Sequence, residues 1–190
     1  MPHGLARKLT YSDLPPEPTD GRRYELIRGR LFVNPSPNTI HQLISMRLSV
    51  TLYGYFETRG HRVFQAPTDV ILTPGDVFIP DIVVAALDDI TIRGIERPPL
   101  IAVEILSPST RRNDLRLKKT RYAELGIPHY WIVDPGERWV ECHRLERRRY
   151  ASLLGVASDG VLTHPEFDGL TIDVGALWTQ LPGEDQSSAS

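Results

Sequence analysis

Leu100-Ile-Ala-Val-Glu-Ile-Leu106 is the stretch on which the fold turns. It is short and rich in β-branched residues, and it reads as a central strand buried on both faces. Downstream, a helix is expected from about Ser109 or Thr110 to Leu125, with Gly126 at its C′ position and Pro128 beyond. His129–Val133 and Arg138–Leu145 follow as two strands joined around Asp134-Pro-Gly-Glu137. Upstream, Val77–Leu87 reads as a strand paired antiparallel with Asp69–Leu72 through Thr73-Pro-Gly-Asp76, where Pro74-Gly75 suits a type II turn. Arg62–Gln65 is a further strand. Ile40, Ile44, Leu48, Leu52 and Phe56 recur at i+4 behind Ser36-Pro37, an N-cap and first-turn proline, and Gly60 ends that helix. Tyr24–Ile27 and Arg30–Val33 flank Arg28-Gly29 as a hairpin. Helix, strands, helix, strands predict an α/β (α+β) domain with a mixed central sheet.

The whole chain suits one such domain. It has 190 residues, 41% hydrophobic and 24% charged, the composition of an ordinary globular protein. A formal charge of −2 argues against coating nucleic acid by bulk charge, while leaving room for a local basic patch. The single cysteine, Cys142, excludes an internal disulfide and a thiolate zinc cluster. The opening MPHGLARKL has no apolar h-region, and no apolar run is long enough for a bilayer, so a cytoplasmic location without membrane contact is expected. Residues 1–22 read as a leader, 23–180 as the domain and 181–190 as a disordered tail.

Two acids sit inside strand patterns that otherwise avoid charge. Asp81 interrupts Phe78-Ile-Pro-Asp-Ile-Val-Val-Ala85, and Glu104 shares a strand face with Ala102 and Leu106. An unpaired buried carboxylate is costly, so each needs a cation, a set of hydrogen bonds or a proton. Either a structural salt bridge or a shared divalent cation answers that need; Mg²⁺ is held by one or two carboxylates and keeps several waters. On the following helix, Lys118 falls at or beside the sheet-facing stripe of Leu115, Tyr122 and Leu125. It either snorkels or pairs with Asp114 at i, i+4, or it completes a phosphodiester-hydrolysis set of two carboxylates and an amine.

These residues carry a resemblance. Pro80-Asp81 followed by Glu104-Ile105-Leu106 resembles the PD-(D/E)XK nuclease superfamily. More closely, YELIRGRLFVNPSP, His41-Gln42, Ala66-Pro-Thr-Asp-Val70, Val103-Glu-Ile-Leu-Ser-Pro-Ser-Thr110 and Tyr130-Trp-Ile-Val-Asp134 resemble the Uma-type restriction endonuclease family, over about residues 20–145. The resemblance implies a restriction-endonuclease-like mixed sheet flanked by helices and cleavage of DNA dependent on Mg²⁺, with Mn²⁺ as a substitute. It makes Asp81 and Glu104 the metal ligands and catalytic acids. Leu106 stands where the superfamily lysine usually stands, and Lys118 matches the lysine this family carries on the next helix.

Three further positions match the family. Glu25 is either another metal or water ligand or a cross-strand partner of Arg28 or Arg30. His41 orients a water or contacts phosphate, or it belongs to the helix cap. Asp69 joins the carboxylate cluster or caps the turn after Pro67-Thr68. Arg111, Arg112, Arg116, Lys118, Lys119 and Arg121 crowd one helix, and Arg144 with Arg147, Arg148 and Arg149 makes a second cluster; both are either phosphate contacts or solvated faces. Dinucleotide, P-loop, zincin and nucleophile-elbow motifs are absent. A homodimer is expected, with Trp131, Trp139 and Trp178 as anchors or as core. The alternative function is a catalytically silent nucleic-acid-binding or interaction module that retains the nuclease fold.

Overall fold

The computed structural model describes residues 7–15 and 21–181. The expected tail from 182 onward and parts of the leader lie outside the described residues. β9 (Ile101–Ile105) is buried at every residue, as an unbroken apolar strand covered on both faces should be. It pairs antiparallel with β6 (Ile82–Ala86) and parallel with β10 (His129–Asp134). β3 (His61–Gln65) flanks β6, while β11 (Trp139–Glu146) and β12 (Arg149–Ala157) follow β10, giving a six-stranded mixed sheet.

The predicted hairpin forms β1 (Arg23–Ile27) and β2 (Arg30–Asn34), turning through Arg28 and Gly29 at φ 54° and 75°. These strands join β5 (Asp76–Phe78), β4 (Val70–Thr73), β8 (Gly94–Ile95) and β7 (Ile90–Thr91) in a second six-stranded sheet. The expected mixed α+β architecture is therefore present, with its strands shared between two sheets. The stretch Val77–Leu87, read as one strand, is two: β5 lies in one sheet and β6 in the other. Pro80 has no N–H to give a ladder and marks the crossing. Thr73-Pro-Gly-Asp76 turns β4 into β5, but Gly75 is not left-handed, so the turn is not type II. Close contact is what calls for glycine there: Gly29 N donates to Gly75 O at 2.8 Å, and a Cβ on Gly75 would lie 3.2 Å from Gly29 N.

α1 (Thr39–Phe56) starts later than Ser36-Pro37 suggests, because Asn38 supplies the cap and its side chain accepts from His41 N. Ile44, Leu48, Leu52 and Phe56 pack on Ile82, Val84, Ile101, Val103 and Ile105. Burial of that size contributes roughly 1.5–3 kcal/mol per side chain. β13 (Val161–Thr163), β14 (Thr171–Asp173) and α3 (Val174–Trp178) close the same core. On the opposite face of β9, Ala102 and Leu106 meet Ile27, Val70 and Phe78 of the second sheet and Tyr122 of the next helix.

That helix begins at residue 111 and contains a π-helical turn, Asn113–Lys118, before α2 (Lys119–Leu125), which Gly126 ends in the left-handed conformation. Trp131 and Trp178 are core residues, while Trp139 is half-buried and lies over Gly155. Among the described residues no helix is long and apolar enough to cross a membrane.

Candidate active site

The crossing between the sheets places Asp81 where β6 has run out and β9 still has a donor to satisfy. Ile105 N donates to Asp81 Oδ2 at 2.8 Å, so the side chain replaces the strand that Pro80 interrupts. His41 Nε2, from the first turn of α1, lies 3.0 Å from the same oxygen. Arg23 NH1 donates to Oδ1 at 2.7 Å. Burial pushes the Asp81 carboxyl up, but the bond and charge of His41 and the Arg23 guanidinium outweigh it and hold the pKa at about 2.

Glu104 projects from β9 toward the helix. Its Oε1 accepts from Lys118 Nζ at 3.0 Å and from the Tyr122 hydroxyl at 2.7 Å. Lys118 Nζ also lies 2.9 Å from Glu25 Oε1 and 3.5 Å from Asp114 Oδ1. Lys118 is 4% exposed and does not snorkel. The π-helical turn brings Asp114 and Lys118 to the buried side together with Tyr122. Such turns recur at functional sites. Burial pulls the Lys118 amine down, yet the carboxylates of Glu104, Glu25 and Asp114 outweigh it and hold it well above its ordinary value. Burial pushes Glu104 well up, against the pull of Lys118 and with help from Asp114, Asp81 and Glu25.

Glu25 is not the partner of Arg28 or Arg30. Besides Lys118, its Oε1 accepts from Ile79 N at 2.8 Å and its Oε2 from the Asn34 amide at 2.5 Å, while Arg28 pairs with Glu124. Asp69 stands apart from this network. Its backbone carbonyl accepts from Ile95 N, and its carboxyl, raised by burial, meets the Tyr11 hydroxyl. His41 is capped through its backbone but does not itself cap the helix; its ring serves Asp81. The basic helix is largely spent on internal pairs: Arg111 with Asp134, Arg121 with Asp76 and Glu124, and Lys119 on His143. Arg144 pairs with Glu146 and Glu166, and Arg147 and Arg148 form the β11–β12 turn. Arg23 and Asp114 are the members that sequence reasoning missed as parts of the site. Arg23 was legible as the residue two before Glu25, on the same strand face.

Four carboxyl groups (Glu25, Asp81, Glu104 and Asp114) thus surround two permanent cations, Arg23 and Lys118. Asp114 Oδ1 is buried without a hydrogen-bond partner, 3.5 Å from the Lys118 amine. Among the described residues no three His, Cys, Asp or Glu side chains form a ready metal cage. The donors present are carboxylate oxygens, which suit a hard, oxygen-seeking divalent ion better than a closed structural zinc site.

A structure of a "putative nuclease belonging to DUF820" from Anabaena variabilis ATCC 29413 superposes with a TM-score of 0.71 at 21% identity, over 88% of this chain and 94% of that one. That likeness speaks for the fold. Among curated proteins none matches this chain. A family model described as "Putative restriction endonuclease" matches residues 10–175, and the chain belongs to that family, Uma2.

Proposed function

We propose that the protein is a divalent-cation-dependent endonuclease acting on DNA, with Asp81 and Glu104 as ligands of Mg²⁺, or of Mn²⁺ in its place. The observation that carries this reading is Lys118 Nζ 3.0 Å from Glu104 Oε1, an amine delivered from the helix to the acid of a strand whose own lysine position is Leu106. Leu106 itself is packed among Ile27, Phe78 and Tyr122.

Hydrolysis adds one water across a P–O bond, and the leaving oxygen takes up a proton. A bound divalent ion supplies an activated water and offsets charge on the scissile phosphate. The protein's own groups prepare that ground. Lys118, held protonated by three carboxylates, is a fixed positive charge and not a proton donor. Tyr122 fixes the orientation of Glu104, and His41 with Ile105 N fixes that of Asp81. Asp69 and the homodimer belong to this reading in weaker roles: Asp69 lines a cleft next to the site, and α1 exposes Met46, Val50 and Tyr53 on one stripe for a second copy.

One observation favours the silent module instead: both oxygens of Asp81 already have partners. Cleavage of supercoiled plasmid and branched DNA in Mg²⁺, Mn²⁺ or EDTA separates the two. Nicking that needs metal and drops at least about 100-fold in folded Asp81→Asn and Glu104→Gln establishes the nuclease. No cleavage and no metal binding establishes the module.

A further inference from the structure

We propose that Arg23 is the resident counter-cation of the site: it holds the Asp81 oxygen that a divalent ion would take, and gives it up when the ion binds. This rests on the reading of Asp81 as a metal ligand and adds to it a residue that sets metal affinity. Asp81 Oδ2 is engaged twice, by His41 Nε2 and by Ile105 N, at 3.0 and 2.8 Å. Oδ1 is bonded to Arg23 NH1 at 2.7 Å. A cation that approaches Asp81 through Oδ1 must therefore meet the guanidinium first.

Arg23 is built to yield. It sits at the first residue of β1, where the strand begins, and its Nε is buried with no hydrogen-bond partner. A guanidinium whose fork is only partly matched gives up less on moving than one bound bidentately. The contrast lies in the same protein: Arg121 binds both oxygens of Asp76, through Nε at 2.8 Å and NH2 at 2.7 Å. There is also somewhere to go. Arg23 walls a cavity of about 100 Å³ beside His41, Gln65 and Asp81, and a cleft of about 1050 Å³ lined by Tyr24, Phe64, Thr68 and Arg93. The two spaces share Arg23, Pro37, Gln42 and Ala66, so the side chain stands at the partition between solvent-facing cleft and carboxylates.

Calorimetric titration with MnCl₂ of the full chain tests this, with wild type beside Arg23→Gln, Arg23→Lys and Asp81→Asn, each checked for its melting transition. Removal of the competing charge tightens Mn²⁺ binding about tenfold or more in Arg23→Gln. Arg23→Lys, which keeps the charge, stays closer to wild type, and serves as the second variant if the glutamine protein does not fold. Binding by Arg23→Gln where wild type binds none supports the proposal equally. Unchanged or weaker binding in Arg23→Gln, with wild-type binding lost in Asp81→Asn, overturns the role of Arg23 and leaves the metal reading standing. No Mn²⁺ binding by either wild type or Arg23→Gln overturns both.

Discussion

The Tyr122 hydroxyl donates to Glu104 Oε1 at 2.7 Å, and Lys118, one helical turn earlier, donates to that same oxygen at 3.0 Å. One carboxylate oxygen thus receives two donors from one helix face. Tyr122→Phe removes one of them and leaves the ring contacts with Phe78 and Tyr130 intact. The expected cost is about 1–3 kcal/mol in urea unfolding. A loss under a few tenths would show that the bond does not matter to the fold.

Lys118 compensates three buried acids at once. Lys118→Met should destabilise by about 3–5 kcal/mol at neutral pH, because it strands Glu25, Glu104 and Asp114 without their cation. Acidification should return part of that loss by protonating them. Stability that stays flat on acidification contradicts the assignment.

Asp81 has the opposite pH signature to Glu104. Its pKa is depressed to about 2 from 3.8, so its contribution is full above about pH 5 and fades as pH falls toward 2. The amount is about 2 kcal/mol by linkage. Unfolding curves of wild type and Asp81→Asn should converge by about that much over the window.

Cys142 lies fully buried on β11, and burial pushes its thiol well above its ordinary value. A thiol reagent such as Ellman's should leave the native protein untouched and titrate one group after denaturation. Rapid reaction of the native protein would show that this strand opens.

Much of this was legible from residue order. β9, the i+4 stripe of α1 and the Arg28-Gly29 hairpin follow from period and turn chemistry, which are local. Lys118 could be put at or beside the inward face because the spacing to Tyr122 is helical, though not told apart from a snorkelling lysine. The division into two sheets was not legible, since it depends on Pro80 breaking an apolar run that looks continuous. β12 was missed because its exposed and half-buried residues alternate weakly and its turn is made by two arginines in left-handed conformation, which charge counting assigns to phosphate. Arg121 was misread for the same reason: a basic run does not reveal that Asp76, forty-five residues earlier, waits beneath it.

Glu25 comes from one sheet, Glu104 from the other, and Lys118 is bonded to both from the helix that packs on them. The amine is thus a tie-rod between layers as well as a charge. Movement of one sheet against the other therefore acts on both of these bonds. The hairpin of β1 and β2 is thus tied to the acids beyond it twice, to Glu104 through the Lys118 amine that also holds Glu25 and to Asp81 through the Arg23 guanidinium.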